Sequence, residues 1–115
     1  MSIPQPAFQR FLAQQRADYR RALPEKIARI VALWEAIAGG GDSAVQVELE
    51  RLVHTLAGTA GTLGFPEVGA AAKVLELLFE QAALAGRVPL PAERTDIALA
   101  MAALQASLPA ADPLS

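Results

Sequence analysis

The chain has one histidine and no cysteine. His54 is therefore the side chain best suited to nucleophilic chemistry near neutral pH, because imidazole titrates near pH 6.5 and is substantially neutral there. It can form a covalent intermediate, but the usual helpers are missing. The serines, Ser2, Ser43, Ser107 and Ser115, lie near termini or predicted helix ends, which disfavours a Ser-His-Asp arrangement. One histidine without cysteine cannot make an ordinary zinc site. Gly39-Gly40-Gly41 lacks the Lys-Ser/Thr and the preceding strand of a phosphate-cradling loop. A nucleophile with no acid–base partner or metal of its own needs another protein's active site.

The elements that must position His54 are helices. Phe8, Phe11, Leu12 and Tyr19 have helix-like spacing, which predicts a short N-terminal helix over 7–20 behind an irregular leader, 1–6. Pro24 suits a first helical position; Ile27, Ile30, Val31, Trp34 and Ile37 follow on one face until the glycines at 39–41. The spacing leaves open whether Pro24 breaks or only kinks a longer helix. Trp34 is expected in the core. Asp42 or Ser43 caps a third helix, about 44–63. Pro66 opens a fourth, with Val68, Ala71, Ala72, Leu75, Leu78, Phe79 and Ala82 inward and Gly86 as its stop. Arg87–Leu90 is a linker. Pro91 opens a fifth, with Ile97, Met101, Leu104 and Leu108 inward, and an irregular tail spans 109–115. No stretch alternates with period two. The expected fold is all-α: an up-down antiparallel four-helix bundle with an additional short N-terminal helix, the bundle covering 7–108.

On the third helix, Val45, Leu49, Leu52, Leu56, Ala60 and Leu63 fall between about 160° and 240° from His54, at about 100° per residue. The apolar stripe is thus centred almost opposite the histidine. If the stripe faces the core, the imidazole faces solvent. Gly58 (about 40°), Gly61 (about 340°) and Val47 (about 20°) share the histidine's face. A glycine in an exposed helix interior costs about 1 kcal/mol relative to alanine. Two on one face suggest that bulk is excluded there for a docking partner; helix–helix contact or a kink is the structural alternative.

The chain has 115 residues, enough for one core, and 53% hydrophobic composition argues against disorder. Net charge −2 argues against nucleic acid as the main partner. No apolar run reaches the roughly 20 residues of a membrane span, the N-terminus has no apolar signal region, and the lack of cysteine fits a reducing cytoplasm.

His54-Thr55-Leu56-Ala57-Gly58-Thr59-Ala60-Gly61-Thr62-Leu63-Gly64 resembles the signature of histidine-containing phosphotransfer (HPt) domains of bacterial phosphorelays, roughly His-x-Leu-Lys-Gly-Ser/Ala-Ala/Ser-x-x-Leu/Ile-Gly. The likeness continues through Pro66 and Leu75-Glu76 and covers about residues 8–108. It implies a four-helix bundle with His54 on an exposed helix as the phosphoacceptor, exchanging a phosphoryl group with the aspartate of a response-regulator receiver or working with a hybrid histidine kinase. It implies no cofactor of the chain's own, with Mg2+ supplied by the receiver, and a monomer with neither nucleic acid nor membrane as partner. In the family the nucleophilic nitrogen is Nε2. Implied partner-binding positions are Val47, Glu50, Arg51, Ala57, Gly58, Gly61, Lys73 and Glu76. Ala57 departs from the pattern, which usually has lysine or arginine there. Lys73 and Arg51 are candidate substitutes, each also readable as an ordinary surface cation. Glu76 and Glu50 are candidates to orient the ring or, equally, solvated surface charges. Ala57 keeps open a second reading: an interaction module that binds a receiver or kinase without phosphotransfer. A helical dimerisation module is a third.

Overall fold

The computed structural model describes residues 5–40, 43–84 and 91–109. It holds four helices: α1 Gln5–Ala38, α2 Ser43–Thr59, α3 Pro66–Leu84 and α4 Pro91–Ala106. Among the described residues there is no strand. The leader residues 1–4, a cap at Asp42, the stop at Gly86, the linker 87–90 and the tail beyond 109 lie outside the described residues.

The predicted N-terminal helix over 7–20 is not a separate element. It and the helix after Pro24 are one 34-residue helix that begins at Gln5, inside the expected leader. An interior proline removes one backbone hydrogen bond and costs roughly 3 kcal/mol. The helix continues because Leu23 and Ile27, on either side of Pro24, are fully buried and hold the turns flanking the proline on the same core. Nothing before Leu23 in α1 is buried. Phe8 and Phe11, whose spacing helped predict the helix, are 41% and 58% exposed.

The fourth and fifth predicted helices stand close to their expected bounds, and their inward residues are buried or packed against the core. The core joins Ile30 and Trp34 of α1, Leu49 and Leu56 of α2, Ala72, Leu75 and Phe79 of α3, and Ile97, Met101 and Leu104 of α4. Trp34 is buried, its ring centroid 6.2 Å from that of Phe79. Pro66 and Pro91 are the first residues of α3 and α4, each followed by a glutamate in the first turn, where proline lacks no needed bond and negative charge suits the dipole. α2 packs against both α1 and α3, α3 packs against α4, and α1 touches α4 lightly.

The third helix, expected to reach 63, is regular to Thr59, and its hydrogen bonding carries on to a glycine cap. Phe65 N–H donates to the Ala60 carbonyl (2.8 Å) and Gly64 N–H to the Gly61 carbonyl (3.2 Å), with Gly64 at φ +95°. This paired closure needs a left-handed residue at Gly64. Just beyond it, a Cβ on Gly69 would lie 3.1 Å from Gly61 N. Gly69 therefore lets the start of α3 press against the end of α2, which sets the two site-bearing helices side by side.

Candidate functional site

His54 stands on α2 with its side chain 79% exposed. Its place on the helix differs somewhat from the wheel. Val53, absent from the predicted stripe, is fully buried, while Val45 and Leu52 are only partly so. The buried set Leu49, Val53, Leu56 and Ala60 is centred about 130° from His54 rather than opposite it. The imidazole therefore leans toward α3.

There its Nδ1 meets a carboxylate oxygen of Glu76. The other carboxylate oxygen accepts from Lys73 Nζ at 2.7 Å. Glu76 is the one buried charged residue among those described, 8% exposed, and a buried carboxylate needs such partners. The hydrogen bond from Lys73, and after it the bond to His54, hold its carboxyl below the ordinary value of 4.5; burial opposes them. The same contact raises the Lys73 amine. An ionised carboxylate can only accept. Nδ1 must therefore carry the proton, and in the neutral ring the lone pair resides on Nε2, at the edge turned to solvent.

The remaining sequence candidates divide clearly. Glu50 lines a shallow depression with His54, Glu76, Phe79 and Glu80; its carboxylate accepts from Gln46 (3.4 Å) rather than from the ring. Val47 is 63% exposed, and Arg51, Gly58 and Gly61 are exposed. A Cβ on Gly58 or Gly61 would meet nothing within 4 Å; helix contact explains neither glycine's missing side chain. Ala57 is partly buried against the core. Lys73 reaches Glu76, so the cation acts on the carboxylate behind the ring. Phe79 and Glu80 join this depression from outside the sequence candidates. The available signal was the spacing Lys73, Glu76, Glu80, which puts three charges on one side of α3.

The Glu76 shift has a stability consequence. The folded chain binds the Glu76 proton more weakly than the unfolded chain does. The ionised pair thus stabilises the fold above about pH 4.5, and this contribution is lost as pH falls through the lowered value. Between neutral pH and pH 3 the melting temperature of the wild type is expected to fall more steeply than that of Glu76→Gln. Parallel curves would show that the carboxylate adds no pH-dependent stability.

The family profile described as Hpt domain matches residues 12–110, most of the chain. The chain belongs to the Hpt domain family. No curated protein and no solved structure matches it. Membership brings histidine-containing phosphotransfer in two-component signalling, and Hpt domains interact with response-regulator receivers or kinases. In this Hpt domain no described helix is long and apolar enough to cross a membrane. No group of three or more His, Cys, Asp or Glu among the described residues could hold a metal ion.

Proposed function

We propose that this Hpt domain is a phosphorelay carrier that accepts and donates a phosphoryl group on His54 Nε2, in exchange with the aspartate of a receiver domain. The observation that carries this reading is the Nδ1–Glu76 bond on a ring that is otherwise exposed. In the forward step the Nε2 lone pair attacks phosphorus. A P–N bond forms, the P–O bond to the receiver's aspartate breaks, and the aspartate leaves as a carboxylate. The Nδ1 proton stays where it is, and the Glu76 carboxylate offsets the positive charge that the ring gains. Transfer of this kind rests on positioning and charge neutralisation. The chain has the nucleophile and its orienting carboxylate, and the receiver brings Mg2+ and the acidic pocket.

Val47, Arg51, Gly58 and Gly61 then form the open docking face around the ring, with Ala57 and Glu50 on its α3 side. Lys73 fills part of the role of the cation missing at Ala57 by keeping Glu76 ionised. The neighbour packing of the helices supports an up-down bundle over 7–108; in this reading the domain acts as a monomer in the cytoplasm.

The test is to phosphorylate the full chain with a panel of phosphorylated receivers from the same genome and to examine the product by 31P–15N NMR. The label is expected on His54, acid-labile, and bonded to Nε2. A label on Nδ1 or on another residue overturns the reading. Ala57 supports a second reading, an interaction module that binds receivers without chemistry, which predicts receiver binding with no acid-labile phosphate.

A further inference from the structure

α1 is twice as long as the helices it packs against. Its 34 residues span about 51 Å at 1.5 Å per residue, matching the 52 Å long dimension of the molecule. The radius of gyration is 16.3 Å, whereas a compact domain of about 100 residues has one near 13 Å. The surplus length is the N-terminal half. It leaves the bundle beyond Arg16, whose side chain lies beside Gly64; Tyr19 is the anchor one turn inside. Its ring lies 5.9 Å from that of Phe65, and its hydroxyl is 2.8 Å from Thr59 Oγ1. Thr59 gives its own proton to the Thr55 carbonyl, so Tyr19 donates. Beyond this point lies an arm with two exposed phenylalanines, Phe8 and Phe11.

Where the arm presents them matters. At about 100° per residue, Phe8, Phe11, Gln15, Ala22, Lys26 and Arg29 fall within about 60° of one another on α1. Ala22, Lys26 and Arg29, with Glu25 between them, stand in the α1 wall of an open cleft, about 400 Å³, whose α2 wall includes Leu52 and Thr55, the neighbour of His54. Phe11 and Phe8 extend that wall by roughly 16 and 21 Å beyond Ala22. A globular partner about 35 Å across, the size expected for a domain of 100–150 residues, can reach His54 and the arm together. Residues 5–22 hold four arginines against one aspartate in a chain of net charge −2, and that aspartate, Asp18, is already paired with Arg21. Side-by-side pairing of two such arms would bring like charges together, which disfavours a second copy as the occupant. An acidic protein surface with an apolar groove fits both features, since phenylalanines at i and i+3 are helix-in-groove anchors.

We propose that the N-terminal arm of α1 is a second docking element for the acidic receiver, with Phe8 and Phe11 as apolar anchors and the arm's arginines, Arg10 foremost, drawing the receiver onto the track that leads to His54. The inference rests on the reading of His54 as a phosphoacceptor.

The test compares the full wild-type chain with Phe8→Ser/Phe11→Ser, Phe8→Leu/Phe11→Leu and Arg10→Glu. Receiver affinity is read by fluorescence anisotropy with labelled receivers from the same genome. Labelling by phosphoramidate, a small donor that needs no docking, is read in parallel. The serine pair is expected to weaken receiver binding about tenfold or more, the scale for truncating two aromatic anchors. It should leave phosphoramidate labelling and melting temperature unchanged. The leucine pair should retain most of the binding, and Arg10→Glu should weaken binding and flatten its salt dependence. Wild-type affinity in the serine pair overturns the proposal, as does a wild type that binds none of the receivers. So does a concentration-dependent dimer, or binding to phosphatidylserine vesicles, that the serine pair loses. Labelling that survives His54→Gln overturns the reading of His54 instead and leaves the binding comparison standing.

Discussion

His54→Gln abolishes acid-labile labelling by phosphorylated receivers while the protein stays folded and keeps its receiver affinity. The glutamine amide has no nucleophilic lone pair comparable to that of imidazole. The expected loss is more than about a thousandfold, the scale seen when a lone nucleophile is removed. Stability should change little, because the side chain is 79% exposed and its removal leaves no core cavity. The charge left on Glu76 still has Lys73 at 2.7 Å, so the buried carboxylate is not orphaned. Measurement requires autoradiography before and after mild acid, together with a melting curve. Unchanged labelling would place the acceptor elsewhere. Unchanged receiver binding with no label even in the wild type would favour the interaction-only reading.

Gly58 separates stability from transfer. A Cβ there meets nothing within 4 Å, and the residue lies inside α2, so Gly58→Ala should stabilise the fold by up to about 1 kcal/mol. That is a rise of a few degrees in melting temperature, on the order of 3–6 °C for a chain of this size. Gly58→Leu should also raise the melting temperature, yet cut transfer from a phosphorylated receiver by about a hundredfold or more. The branched side chain would stand one turn from the imidazole on its own face and displace the incoming phosphoryl group; misplacement of about 1 Å costs that much. Labelling by phosphoramidate should fall less than transfer from the receiver. A Gly58→Leu variant that is stabilised and transfers at the wild-type rate would mean that the open face has no part in docking.

The helices were legible because each carries its own punctuation: proline with glutamate in the first turn at Pro66 and Pro91, and glycines after Ala38 and at Gly64. The exception is α1. Pro24 is a strong local signal, but it was outweighed by Leu23 and Ile27, whose burial depends on packing against other helices and is invisible to a window of sequence. Phe8 and Phe11 show the same limit. Their spacing correctly marks an apolar face, but no spacing says whether a partner helix is long enough to cover it. Here α2 ends first, at Thr59 beside Tyr19.

The site shows a similar division. By itself the sequence determined that there is one candidate nucleophile, that it lies off the apolar stripe of a helix, and that glycines share its face. These follow from residue type and a fixed 100° step, which local chemistry imposes. Only the tertiary structure decided which ring nitrogen meets a carboxylate and which is left open. Val53 turns the buried face of α2 so that His54 leans toward α3, and Gly69 lets the two helices approach closely. Glu76, held ionised by Lys73, can then accept the hydrogen bond from Nδ1–H across 22 residues of sequence. A hydrogen bond between two helices depends on their rotation and separation, and those are set by packing throughout the bundle.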